Sequence, residues 1–444
     1  MTAEVAVMNR SAVALAADSA VTLSGLNPFS EVDKIFQNEN KLFELSKVFP
    51  IGLMIYNAMS FFGIPWEVII KDFRQELGSV PSDTVFEWAD RFRDYLMSHV
   101  KFKPSPERQE VFVETLLGAE MSKVFDGWVA ETRPFLLQKR SREFNKQYRS
   151  IFSSQIEKRI RQYDDTPFYH GYDDTESKKV LFQYQTIYDK VVSECFKGYP
   201  LDDSEKTFLL RLACAVLGRS KRDWFTTGLV FAGYGSTELF PSLVSIEIGG
   251  SADDKTRWIE KRRVDIDRGS TTAEIIPFAQ RETVDTLLFG RADIYERRIV
   301  EYFTEGAMQV GKSVVEQLTK STKRKKDFNN RVEAAVNGVV SNFAQHHSEQ
   351  LRRAFARDTL DSVRYMPKPD LAAFAESLVT VTSMMRKASI GPETVGGPVD
   401  VAVISRHEGF IWVKRKHYFN PELNRRYMWR AFNSNEEGKN DVGQ

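Results

Sequence analysis

The residues best placed to do chemistry stand at the amino terminus. Removal of Met1 from the Met1-Thr2-Ala3 start would leave Thr2 first, its hydroxyl beside a free α-amine. A threonine hydroxyl is a weak nucleophile, and a neighbouring amine with a reference pKa of about 8 can take its proton at neutral pH. A nearby cation would lower the hydroxyl pKa further, and an acid would hold that cation in place. Asp18, closing Ala16-Ala17-Asp18, and Lys34, in Asp33-Lys34-Ile35, are the candidates for those two roles. Taken singly, an aspartate at a strand end and a lysine in a loop are more often a solvated ion pair.

These side chains need a strand-rich start to the chain, and the residue pattern supplies one. Val5-Ala6-Val7 and Ala12–Ala17 are short apolar runs broken by Asn9-Arg10-Ser11, which predicts two strands and a tight turn. A loop through Ser24–Pro28 follows, then Lys34–Phe36 and a strand pair, Lys41–Val48 and Ile51–Asn57, hinged at Phe49-Pro50. Trp66, Ile69, Ile70, Phe73 and Leu77 mark one face of a helix that starts after Pro65 and ends near Gly78. From 79 to 223 helical spacing dominates. Strand patterns return at Gly228–Ala232, Ser242–Ile248, Lys261–Ile266 and Ala273–Phe278, before a second helical block over about Val284–Arg364. An amphipathic helix, Asp370–Arg386, then precedes Gly396-Gly397-Pro398 and two strands, Val399–Ile404 and Phe410–Lys414.

With those elements in view the sequence resembles the proteasome β-subunits and HslV-type peptidases of the amino-terminal-nucleophile (Ntn) hydrolase superfamily. The resemblance rests on Thr2 with a strand after it, on Ala16-Ala17-Asp18, and on Lys34-Ile35, with a separation of sixteen positions from Thr2 to Asp18 and again from Asp18 to Lys34. Gly228–Ile248 and Val395–Ile404, with Gly409 after it, resemble the family's later strand pairs. The resemblance implies an α+β fold, a four-layer αββα sandwich, built from 1–78, 224–290 and 370–415. Two mainly helical insertions, 79–223 and 291–369, and a tail, 416–444, would be added to it. It implies Thr2 as nucleophile, Lys34 as the pKa-lowering cation and Asp18 as its partner, acting on peptides or unfolded polypeptide without a cofactor or metal. Asn57 and Ala58 stand where the family keeps an oxyanion-hole glycine. Gln280, Glu393 and Thr394 are substitutes for its supporting polar residues. A homo-oligomer, as a ring or helical stack, and a separate ATPase unfoldase are implied as partners. Two other readings stay open: a scaffold whose catalytic shell has decayed, and a hydrolase of small amides.

Competing signals are weaker. Gly306–Ser313 matches the P-loop pattern literally, yet the charged segment Glu296–Phe303 before it reads as helix rather than as the strand such a loop requires. The basic run Lys320–Lys326 lacks interleaved aromatics and reads as a solvated stretch, which argues against nucleic acid as a partner. Six histidines form no metal spacing, and no Gly-x-Ser-x-Gly elbow occurs. In the 444 residues, 62 Lys and Arg against 61 Asp and Glu leave a formal charge of +1, so no global field draws the chain to nucleic acid or membrane. No apolar run approaches the roughly 18 residues of a membrane helix. Cys195 and Cys214 form no disulfide framework, and the start of the chain lacks the pattern of a secretion signal. A cytoplasmic protein is the expectation.

Overall fold

The computed structural model describes residues 3–23, 34–133, 142–221, 225–290, 293–318, 320, 322–343, 348–388, 395–417, 419–426 and 428–429. Strands β1 (Ala3–Asn9) and β2 (Val13–Ala17) form the expected hairpin. Asn9 makes its turn: Oδ1 accepts the N–H groups of Ser11 at 2.8 Å and Ala12 at 3.3 Å. The same amide donates to the carbonyls of Val363 and Met366, both at 2.9 Å, and so ties the turn to a distant helix end.

Next come β3 (Val21–Leu23), β4 (Lys34–Phe36), β5 (Leu42–Glu44), β6 (Ile51–Asn57), β7 (Ser60–Phe61) and β8 (Ile64–Pro65). Helices α1 (Trp66–Leu77), α2 (Val85–Ser98), α3 (Pro106–Thr132), α4 (Arg142–Asp164), α5 (Asp174–Gln183), α6 (Gln185–Cys195) and α7 (Asp203–Gly218) follow. Strands β9 (Thr227–Gly233), β10 (Ser242–Ala252), β11 (Lys255–Asp265) and β12 (Ala273–Ala279) lead into α8 (Glu282–Phe289), α9 (Asp293–Leu318), α10 (Thr322–Asn342), α11 (Ser348–Tyr365) and α12 (Lys368–Ala388). Strands β13 (Asp400–Ser405) and β14 (Gly409–Lys414) come last.

The result is a mixed α+β fold with antiparallel sheets. One five-stranded sheet has the order β12-β1-β2-β13-β14 and the other β11-β10-β9-β6-β5. The strand period of two divides their side chains. Ala6, Met8 and Leu15 of the first sheet meet Met54, Val230 and Leu243 of the second. On the other face of the first sheet, Val5, Val7, Ala14 and Ala16 pack with Leu371, Ala375 and Leu378 of α12. Alanines at every second position of β2 keep that face flat enough for a helix to lie close. On the other face of the second sheet, Leu53, Ile55, Leu229 and Phe231 pack with Trp66 and Ile70 of α1 and with Trp88 and Phe92 of α2. Helices α3 to α7 enclose a separate core around Leu117, Trp128, Phe152 and Leu212.

The pattern and the structure differ in places. Helix α2, within the helical block read from periodicity, packs with α1 against a sheet, because helical spacing reports a buried stripe and not what covers it. Strand β11 begins at Lys255, well before the expected Lys261, because Asp253 and Asp254 (φ 51° and 57°) make a two-residue hairpin turn. The Gly306–Ser313 segment, by contrast, lies inside helix α9, as the charged residues before it implied.

Asn9→Ala removes four hydrogen bonds at the β1–β2 turn, so it is expected to lower the unfolding free energy by about 1–3 kcal/mol in urea titration. A change below about 0.5 kcal/mol would show that the turn does not depend on this side chain.

Candidate active site

The hairpin brings Asp18 back beside the first described residue. Asp18 N–H donates to Ala3 O, and Ala3 N–H donates to Asp18 Oδ1, both at 3.0 Å. The second carboxylate oxygen accepts Gly396 N–H at 3.0 Å and Ala20 N–H at 3.4 Å. Ser19 fixes the same junction, with N–H to Gly396 O at 3.2 Å and Oγ to Pro398 O at 2.6 Å. Gly397 (φ 76°) passes so close to Gln37 that a Cβ there would lie 2.5 Å from its carbonyl oxygen. This is why the chain needs glycine before β13.

The lysine that reaches Asp18 is Lys41. Its Nζ lies 2.6 Å from Asp18 Oδ1 and 3.7 Å from Glu4 Oε1, and all three side chains are buried. Lys41 stands immediately before β5, where its carbonyl accepts Ile55 N–H at 2.8 Å. The strand therefore holds the backbone while the aliphatic stem runs between the sheets and delivers the ammonium to the carboxylates. A charge taken out of water in this way is tolerated only with close partners, and the Asp18 carboxylate has four donors around it.

Lys34, expected in that place, lies on β4 opposite Leu23, and its side chain is outside the described residues. Thr2, Glu393 and Thr394 also lie outside the described residues. Gln280 follows Ala279, which pairs with Ala3 across β12 and β1, so it lies at the same sheet end as Asp18. Gln280 is buried, and its Oε1 accepts a hydrogen bond from Arg386 of α12.

Asn57 ends β6 in the left-handed region (φ 73°), and its side-chain amide donates to Thr226 O at 2.6 Å. Ile55 N–H faces Lys41, and the strand period of two directs Asn57 N–H to the same edge. Ala58 differs from expectation as an oxyanion donor, because its N–H is donated to Thr226 O at 3.2 Å. Lys41 and Glu4 were missed by sequence reasoning, although each left a signal. Glu4 is a lone acid in an otherwise apolar strand, and Lys41 opens the run Leu42-Phe43-Glu44-Leu45.

Compared with protein-family models, curated proteins and solved structures, the chain matches none. Among the described residues no group of three or more His, Cys, Asp and Glu could hold a metal ion, and no helix is long and apolar enough to cross a membrane.

Lys41→Met leaves two carboxylates buried without their cation, so it is expected to cost about 3–5 kcal/mol of stability. In a double-mutant cycle, Lys41→Met with Asp18→Asn is expected to cost less than the sum of the single changes, by about 0.5–3 kcal/mol. Simple additivity in denaturant titrations would mean that the two groups do not act as a pair.

Proposed function

We propose that this chain is an Ntn hydrolase with the four-layer αββα sandwich of the proteasome-like enzymes, cleaving amide bonds through Thr2 after removal of Met1. The observation that carries the reading is the buried Lys41–Asp18 pair at the start of β1. It supplies an ammonium and its fixed counter-charge beside the residue that follows Thr2, with Gly396 N–H completing the carboxylate's surroundings. In this reading Lys41, not Lys34, is the cation that favours the Thr2 alkoxide.

Thr2 Oγ attacks the scissile carbonyl carbon while its proton passes to the α-amine. In this reading the oxyanion is stabilised at the turned end of β6, where Asn57 and Ala58 stand. The C–N bond breaks as the α-ammonium returns the proton to the leaving amine. Water then attacks the ester, the amine again acting as base, and releases a carboxylic acid and free Thr2. Gln280, held by Arg386, and Glu393 and Thr394, which precede Gly396, belong to the supporting polar groups. The substrates are peptides or unfolded polypeptide, and assembly into a ring or stack with a separate ATPase is part of the same proposal. A scaffold that no longer turns over is the second reading. It is favoured by the use of Ala58 N–H and the Asn57 amide on Thr226, which leaves fewer donors for an oxyanion.

Incubation with a threonine-directed epoxyketone followed by peptide mass spectrometry tests the proposal. A chain starting at Thr2 and modified there, with no adduct in Thr2→Ala, is the expected result. Retained Met1, or no adduct on Thr2, would leave the scaffold reading. Lys41→Arg keeps the charge but not the shape, so it is expected to slow adduct formation by about tenfold or more, while Lys34→Ala changes it by less than about twofold.

A further inference from the structure

A cavity of about 570 Å³ opens one residue beyond Asn57. Ala58, Phe61, Phe62, Val111, Phe112 and Phe225 line it, and Glu107, Arg108, Thr115 and Gly250 also belong to the lining. Its size and apolar lining are those of a ligand pocket. Its position links it to the candidate site: Ile55 N–H is bonded to Lys41, and Ala58 is three residues on, at most about 10 Å of strand.

The walls are held open by local conformations that the residue types disfavour. β7 and β8 join through Phe62-Gly63, both with positive φ (48° and 80°), a turn whose first position normally takes Asn or Gly. Phe62 is retained there by helix α3. Arg108 Nη1 donates to Phe62 O at 2.7 Å, and the Phe62 ring packs on Phe112 at 5.5 Å between centroids and on Phe61 at 4.9 Å. Phe112 in turn meets Phe225 edge-on at 5.3 Å. On the other side Gly250 lets β10 approach, since a Cβ there would lie 2.4 Å from the Phe112 ring. A strained residue beside a cavity, fixed by a helix from another part of the chain, is the kind of local exception that accompanies function.

We propose that this cavity receives an apolar, preferably aromatic, side chain of the substrate next to the scissile amide, and that α3 thereby sets specificity. The inference rests on the hydrolase reading above. Aromatic walls on several sides favour a flat ring, and the two charged lining residues, Glu107 and Arg108, are solvent-exposed.

The test compares kcat/KM for fluorogenic peptide amides bearing Phe, Ala or Asp beside the cleaved bond. Wild-type protein is expected to prefer Phe. Val111→Trp and Thr115→Trp add a large ring at two lining positions of α3, and each is expected to lower the Phe-to-Ala ratio at least tenfold. Val129→Trp, further along the same helix, leaves the ratio as it was. An unchanged ratio in both cavity variants, with Thr2 still modified by the epoxyketone, overturns the specificity assignment and leaves the hydrolase standing. Absence of an adduct on Thr2 in wild-type protein overturns the hydrolase reading and this inference with it.

Discussion

A lysine ammonium buried between two sheets is the constraint on which the rest of the architecture turns. Lys41 cannot be withdrawn from water without a close counter-charge, and Asp18 supplies one only because the β1–β2 hairpin returns it to the level of Ala3. The same carboxylate is capped by Gly396 N–H, which fixes the approach to β13. One ion pair thus ties the start of β1, the end of β2, the start of β5 and the approach to β13, and so secures both sheets at one end. The apolar contacts between the sheets add most of the burial but little of this positional detail, because Ala, Val, Leu and Met side chains can exchange places at modest cost.

Much of this was legible in the residue order, and the exceptions have a physical pattern. The β1–β2 hairpin showed as two apolar runs around an Asn-containing turn, and α1 as a stripe from Trp66 to Leu77. The reading of a helix through Gly306–Ser313 followed from the charged residues before it. Lys41 escaped because counting intervals along the chain selects Lys34, whereas contact with Asp18 depends on how β5 is laid against β6. β3, β4, β7 and β8 are two or three residues long, too short for any periodicity. β11 runs back to Lys255 through charged residues, Arg257 among them, that no apolar alternation marks as strand. In the fold Arg257 is buried, donating from Nη1 to Gly249 O at 2.8 Å and from Nη2 to Val216 O at 2.9 Å.

That arginine also explains how the helical segment α3 to α7 is attached. Val216 belongs to α7 and Gly249 to β10, so the guanidinium, carried on β11, bridges the helical segment and the sheet. Beside it β10 changes register against β11 between Ile248 and Ser251, where the chain reads Gly249-Gly250. The glycines let Tyr169 and Phe112 come to the backbone, since a Cβ would lie 2.2 Å from the Tyr169 hydroxyl at the first and 2.4 Å from the Phe112 ring at the second. A bulge thereby lets the helical segment α3 to α7 pack against the sheet.

Positive-φ residues other than glycine mark the ends of β6 and β12 and the β7–β8 turn. Asn57, Phe62 and Ala279 all have positive φ without being glycine; asparagine takes this region readily, whereas Phe62 and Ala279 each cost about 1 kcal/mol or more. Asn57 is held by its amide on Thr226, Phe62 by Arg108 and two aromatic rings, and Ala279 by its place opposite Ala3 at the end of β12. Each constraint comes from a different segment of the chain, so relaxing one residue requires breaking contacts made by another. Strain that is over-determined in this way does not dissipate by local fluctuation. It holds the ends of β6 and β12 and the β7–β8 turn in fixed conformations, the rigidity that the proposed acyl-transfer site would require.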